Sequence, residues 1–138
     1  MKPFKHALAV RALPALFCLA SCGIDPQGPG GSAPVISVLS YLPTSVSVGQ
    51  PTNINATLHF EDPDGDVRDL LIEFRLPTGV TQSLPRTPAQ DVQDRTTATL
   101  SVVAAITAPV AGRYDFNLRL ADAAGHESNR LSGILEAE

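Results

Sequence analysis

Between residues 34 and 137 the chain repeatedly alternates apolar and polar side chains with a period of two. The clearest example is RYDFNLRLA, residues 113–121, in which Tyr114, Phe116, Leu118 and Leu120 alternate with charged or amide side chains. Successive side chains of a β-strand point to opposite faces, so this pattern predicts strands with one buried and one exposed face. The pattern recurs, less regularly in places, at 34–41, 54–60, 69–76, 97–106 and 129–137.

Turn-forming residues separate these segments. Proline or glycine occurs in every connection, at 42–44, 48–51, 63–65, 77–79, 85–88, 109–112 and 124–125. No stretch shows a sustained helical period, so we expect an all-β sandwich of about seven strands. Its core must be built mainly from Val, Ile, Leu and Ala, because only 5% of the chain is aromatic and Trp is absent.

The first 21 residues have the composition of a targeting segment rather than of a folded element. A basic start is followed by a short apolar run, ALPALFCLA at 12–20. This run is too short to cross a bilayer as a helix, which takes about 20 residues. We therefore set residues 1–21 aside from the fold as a signal peptide.

Leu19-Ala20-Ser21-Cys22 follows the apolar run and resembles the lipobox of bacterial lipoproteins. The resemblance implies that a diacylglyceryl group is attached to Cys22 and that the chain is cut just before it. Gly23 is not the Asp that usually retains such proteins in the inner membrane, so an outer-membrane location in the cell envelope is implied. Several acyl chains would anchor the protein stably, since each buried CH₂ contributes ~0.8 kcal/mol.

Two other interpretations of this segment remain. An ordinary secretory signal, cut near Ala20-Ser21-Cys22, would release a soluble protein. A disulfide or redox pair between Cys18 and Cys22 would need Cys18, which lies inside the segment that cleavage removes.

Residues 22–33 comprise the lipidated Cys22 and a Gly- and Pro-rich tether, GIDPQGPGGSA. A folded domain follows at 34–138. An extended tether of this length reaches at most ~35–40 Å, so the domain stays near its membrane. Beyond residue 21 the chain has seven Arg, no Lys and fourteen acidic residues, a net charge of −7. This acidic, Lys-free surface argues against nucleic-acid binding.

Two loops and the strands around them resemble an immunoglobulin-like domain of the bacterial cell-surface type, close to cadherin-like and fibronectin-III-like modules. DPDGD at 62–66 and AGRYDFNLRLADAAGHESN at 111–129 carry the resemblance. It implies a Greek-key β-sandwich and a tyrosine corner, in which the Tyr114 hydroxyl bonds to backbone upstream. The cysteine pair and core Trp of antibody domains are missing from the sequence.

The stretch HFEDPDGDVRDL, residues 59–70, places several carboxylates between two predicted strands. In an immunoglobulin-like topology this loop, the loop DAAGHESN after 113–121 and the end of the tether share one pole, so Asp62, Asp64, Asp66 and Asp122 are expected to converge there. Hard oxygen ligands of this kind suit Ca²⁺. Asp-Pro-Asp-Gly is equally good turn chemistry without a metal, because Asp caps backbone N–H groups and Gly takes positive φ. Both interpretations stand at this point.

An EF-hand is excluded. Three of the aspartates match loop positions 1, 3 and 5, and Glu73 falls at position 12. However, Val67 occupies the position that requires Gly, and the flanking segments are predicted strands rather than helices.

The sequence favours a binding protein over an enzyme. It lacks G-x-S-x-G, H-E-x-x-H and a Gly-rich phosphate loop. His59 and His126 are expected at the surface. We expect a membrane-anchored, non-catalytic surface or periplasmic module for adhesion or binding, stabilised by calcium if the acidic loop holds metal, with an envelope protein or polysaccharide as partner. The alternative is a small accessory or structural lipoprotein subunit of a cell-envelope complex.

Overall fold

The computed structural model describes residues 31–138, which form nine β-strands. They are β1 (Val35–Leu42), β2 (Ser45–Val46), β3 (Pro51–Glu61), β4 (Val67–Arg75), β5 (Thr81–Ser83), β6 (Thr87–Pro88), β7 (Thr97–Thr107), β8 (Gly112–Asp122) and β9 (Leu131–Ala137). This part of the chain contains no helix long and apolar enough to cross a membrane. The predicted signal peptide and Cys22 lie outside the described residues.

The strands form two sheets. One is three-stranded and antiparallel, in the order β1-β3-β7. The other has the order β2-β9-β8-β4-β5, and β6 also pairs with β4. All pairs in this second sheet are antiparallel except β2 with β9, which is parallel. A sandwich of two sheets is therefore the architecture, as the alternation predicted.

The core lies between the sheets and is built from the apolar faces of the alternating segments. Side chains from both sheets form one buried cluster, which includes Ile54, Leu58, Phe60, Leu70, Ile72, Leu100, Tyr114, Phe116, Leu118 and Leu120. Full burial of one such aliphatic or aromatic side chain contributes about 1.5–3 kcal/mol. The period of two thus fixes both the strands and the faces on which they pack.

Polar side chains tie the ends of strands together. The Tyr114 hydroxyl donates to the Val110 carbonyl oxygen at 2.8 Å, which is the upstream backbone bond expected of a tyrosine corner. The Tyr41 hydroxyl donates to the Ile134 carbonyl oxygen and accepts from the Ile134 N–H, both at 2.9 Å. This second tyrosine links β1 of one sheet to β9 of the other.

The structure has more strands than the seven predicted. The additional strands are short, and β6 occupies part of 85–88, which the sequence predicted to be a turn. Segments of two or three residues carry no periodic signal, so alternation could not reveal them. Ala89 and Val92, in the connection between β6 and β7, are also buried although no strand contains them.

Candidate metal site at the acidic loop

The acidic loop, residues 62–66, connects β3 to β4 and is closed by its own backbone and by one aspartate. The Gly65 N–H donates to the Asp62 carbonyl oxygen at 3.1 Å, and Gly65 has a φ of 67°. The Asp66 N–H donates to Asp62 Oδ2 at 2.9 Å. These bonds are what an Asp-Pro-Asp-Gly turn provides without any metal.

Three other parts of the chain hold this loop at one end of the sandwich. The Asp94 N–H, from the β6–β7 connection, donates to the Gly65 carbonyl oxygen at 2.8 Å. The Ala123 N–H, just after β8, donates to the Asp66 carbonyl oxygen at 3.0 Å. The Ser32 N–H donates to Asp64 Oδ2 at 2.5 Å, so the last residues of the predicted tether lie against the loop. Backbone bonds from separate elements therefore fix the positions of the loop carboxylates.

Asp62, Asp64 and Asp66 bring their carboxylates together. Each offers one oxygen, and these oxygens all lie within 4.8 Å of one another. Asp62 is completely buried, Asp66 is half-buried and Asp64 is exposed. The cluster therefore runs from the protein interior to solvent, with three formal negative charges at close range.

Turn chemistry leaves two oxygens of this cluster unexplained. Asp62 Oδ1 and Asp66 Oδ1 are buried and have no hydrogen-bond partner in the described structure. Buried polar atoms are nearly always satisfied, because an unmatched one costs roughly 1–3 kcal/mol and more when it carries charge. Burial raises the pKa of Asp66 above its ordinary value, and the neighbouring carboxylates of Asp122, Asp62 and Asp64 raise it further. A cation would remove both penalties.

Asp122 lies next to the cluster but is engaged elsewhere. The His126 N–H donates to Asp122 Oδ1 at 2.8 Å, and His126 Nδ1 is hydrogen-bonded to Asp122 Oδ2 at 2.7 Å. Burial alone would raise the pKa of Asp122, but the hydrogen bonds from His126 outweigh it and hold that pKa below its ordinary value. The structure thus groups three of the four predicted ligands and places Asp122 as a neighbouring negative charge.

No protein-family model matches the chain, and a search among curated proteins finds no relative. Its likeness to solved structures is one of fold. A Niemann-Pick type C2 protein from the Japanese carpenter ant superposes with a TM-score of 0.54 at 11% identity, over 81% of this chain and 98% of that one.

Two further solved structures have comparable scores. Spo0M, a sporulation control protein from Bacillus subtilis, has a TM-score of 0.51 at 9% identity, over 78% of this chain and 50% of that one. The PKD domain of an M14-like peptidase from Thermoplasmatales archaeon SCGC AB-540-F20 has a TM-score of 0.47 at 18% identity, over 78% of this chain and 97% of that one. At such identities a likeness concerns the all-β fold alone.

The sequence identified the four acidic residues, but it did not show that hydrogen bonds to His126 set Asp122 apart from the other three. His126 lies in a loop and is partly exposed, in line with the prediction, and the structure adds that its ring is paired with the buried carboxylate of Asp122. The spacing of four residues between them was the available signal. Glu73, the twelfth position of the rejected EF-hand, lies on β4 with Oε2 3.9 Å from Arg119 Nη2 and outside the three-carboxylate group.

Proposed function

We propose that this chain is a lipid-anchored, non-catalytic binding or adhesion module of the bacterial cell envelope, with a calcium ion on its acidic loop. The observation that carries the calcium assignment is the fully buried Asp62, whose Oδ1 has no hydrogen-bond partner and whose carboxylate converges with those of Asp64 and Asp66. The anchor rests on Leu19-Ala20-Ser21-Cys22 and its position after the basic and apolar segments.

The proposed fold is immunoglobulin-like in its topology. In that assignment β1, β3 and β7 are strands A, B and E of one sheet, and β9, β8, β4 and β5 are strands G, F, C and C′ of the other. The parallel pairing of β2 with β9 is consistent with a first strand that switches sheets between its two halves. Tyr114 at the start of β8 then has the place and the bond of a tyrosine corner on strand F.

Ca²⁺ is the cation that fits the acidic loop best. It takes six to eight oxygen ligands in flexible geometry, and Asp62, Asp64 and Asp66 supply hard carboxylate oxygens of graded exposure. Asp122 would contribute its charge from outside the ligand group, because its oxygens accept from His126. The ion would join the β3–β4 loop to the end of the tether through Asp64.

Calorimetric titration with Ca²⁺ tests the metal site directly. We expect one ion per chain and at least a tenfold loss of affinity in Asp64→Asn. Because Asp64 is exposed, this substitution should leave the fold intact. Glu61→Gln removes the same charge one residue before the cluster and should retain the affinity. Heat of binding that is unchanged in Asp64→Asn, or missing in the unaltered chain, would contradict the site.

The anchor is tested by fractionating cells that produce the chain with one cysteine changed at a time. Cys22→Ala should abolish incorporation of labelled fatty acid and release the protein from the membrane fraction. Cys18→Ala is the matched control, because the lipobox resemblance assigns no role to that thiol. If both variants remain lipidated and membrane-bound, the anchor is not at Cys22.

An apolar cavity lies between the two sheets, which fits a binding role. This cavity of about 140 Å³ is lined by apolar residues such as Phe74, Leu76 and Ile106, with no carboxylate, imidazole or thiol among its lining residues. The Tyr114 hydroxyl at its wall is engaged with Val110. The hydrogen bonds of His126 in the described structure lead to Asp122 rather than to a hydroxyl nucleophile.

A further inference from the structure

Strand β7 forms an open edge of the three-stranded sheet. Within residues 31–138 it pairs with β3 over all eleven of its residues and with no strand on its other side. The segment between β4 and β7 does not cover this edge, because its two strands, β5 and β6, both pair with β4 in the opposite sheet. One row of backbone N–H and C=O groups of β7 therefore faces outward along the strand.

Natural proteins usually protect such edges from pairing with another chain by placing charged residues, proline or bulges on the edge strand, and β7 has none of these. Its sequence, TATLSVVAAIT, has no charged residue, proline or glycine. Its ladder with β3 is continuous, without a bulge. Long, flat, uncharged edges are templates for pairing with another strand. The exposed face of β7 also carries Val103, which is 65% exposed, near the middle of the strand.

We propose that β7 is a self-association edge, through which two copies of this chain pair antiparallel to form a continuous six-stranded sheet. A closed dimer requires a two-fold axis, and an axis perpendicular to the sheet relates neighbouring strands as an antiparallel pair with the same face outward. This proposal goes beyond the anchored, calcium-binding module and does not depend on either assignment.

Two copies of β7 can pair antiparallel over all eleven residues of the strand without unfavourable contacts between their side chains. With Val102 on the two-fold axis, Thr97 lies opposite Thr107 and Ser101 lies opposite Val103 of the second copy. The inward residues also meet inward residues, so Leu100 lies opposite Ala104. The alternation of buried and exposed faces therefore continues across the junction.

Charge favours a second copy at this edge over the acidic surfaces of the molecule. The chain beyond residue 21 has a net charge of −7, so two copies repel wherever acidic surfaces meet. Along β7 no like charges are opposed, and Arg95, just before the strand, would lie opposite Pro109 rather than another charged residue. The Gly- and Pro-rich segment 23–33 is a poor strand former and a poor occupant for the edge.

Disulfide trapping in cells tests this pairing. Two differently tagged copies of the full chain are produced together, one with Ser101→Cys and one with Val103→Cys, and a mild oxidant is added. Directly opposite residues of an antiparallel pair have Cβ atoms about 4.5–5.5 Å apart, close enough for a disulfide after small adjustments. We expect a cross-link that joins the two tags.

Thr57→Cys paired with Val103→Cys is the matched control. Thr57 is exposed on β3 and lies beside Ser101 in the ladder, so it is one strand, about 4.8 Å, further from the second copy. The native cysteines are present in both experiments and contribute equally. Equal cross-linking of the two pairs, no cross-linking of the Ser101→Cys pair, or trapping of a different protein at Val103→Cys would overturn the proposal.

Discussion

The two carboxylate oxygens of Asp62 have different surroundings. Oδ2 accepts the Asp66 N–H and belongs to the turn, whereas Oδ1 is buried without a partner. The turn explains the first oxygen, and the proposed calcium ion would give the second a partner. The sequence could predict the cluster because Asp62, Asp64 and Asp66 are spaced two apart, but it could not show which oxygen the backbone would use.

Asp66 gives a pH dependence with a definite sign. Its pKa is raised in the fold by burial and by neighbouring carboxylates, so the unfolded chain loses this proton at lower pH than the folded chain does. Without divalent cations, its contribution is fully present below the unfolded value, ~3.9, and is lost as pH rises through the folded value. We expect Asp66→Asn to match the unaltered chain in strong acid and to be more stable at neutral pH.

Urea unfolding at a series of pH values, in the presence of chelator, measures this difference. Asp91→Asn is a suitable comparison, because Asp91 is exposed and lies outside the three-carboxylate group. A stability difference for Asp66→Asn that is constant across the pH series would show that the mutation acts through something other than ionisation.

The Tyr114 hydroxyl contributes through its backbone bonds at the start of β8. It donates to the Val110 carbonyl oxygen and also accepts the Val110 N–H at 3.3 Å. Tyr114→Phe keeps the buried ring and removes these bonds, so we expect the free energy of unfolding to fall by about 0.5–1.5 kcal/mol. Denaturant unfolding checks this, with the exposed Thr57→Ser as control, and an unchanged midpoint would show that these hydrogen bonds add no stability.

At the scale of elements, long alternating segments were predictable and short ones were not. The strand β8 follows its predicted pattern from Arg113 to Leu120, with Tyr114, Phe116, Leu118 and Leu120 buried. Strands β2, β5 and β6 are defined by what they pair with, since two or three residues cannot show a period. The partner of β5 and β6 depends on tertiary packing, so the open edge of β7 could not be predicted from the sequence.

Close packing of β9 against the aromatic side chains gives a prediction for Gly133. Gly133 lies opposite Phe116, whose ring meets Tyr41 edge-on with centroids 4.9 Å apart. A Cβ at Gly133 would lie 2.2 Å from Phe116 Cζ and 2.9 Å from Tyr41 Cε1. We expect Gly133→Ala to displace these rings and to destabilise the fold by about 1–3 kcal/mol.

Thermal unfolding of Gly133→Ala, compared with Ser101→Ala on the exposed face of β7, measures this effect. The second substitution leaves the core untouched and should have little effect. A midpoint for Gly133→Ala equal to that of the unaltered chain would mean that the rings can move aside at no cost.

At the scale of the whole molecule, the acidic loop and the hydrogen bonds that hold it are located at one end of the sandwich. The acidic loop, the β8–β9 connection and Ser32 meet there through hydrogen bonds, while the apolar cavity lies beside Val46, Ala108 and Pro109. The immunoglobulin-like resemblance predicted that these loops share a pole, because topology alone decides it. The cavity and the hydrogen bond between Asp122 and His126 depend on side-chain packing and were not predictable.

The thermal unfolding midpoint of the chain, measured in Ca²⁺ and in chelator, tests the calcium assignment most directly. Ca²⁺ at a hundredfold excess over its dissociation constant should stabilise the fold by about 2.7 kcal/mol. Asp62→Asn keeps an oxygen for the Asp66 N–H and replaces the unpartnered oxygen by an amide donor, so it should fold equally well in chelator and show no shift with Ca²⁺. Equal midpoints for the unaltered chain in both solutions, or a shift retained in Asp62→Asn, would contradict the account.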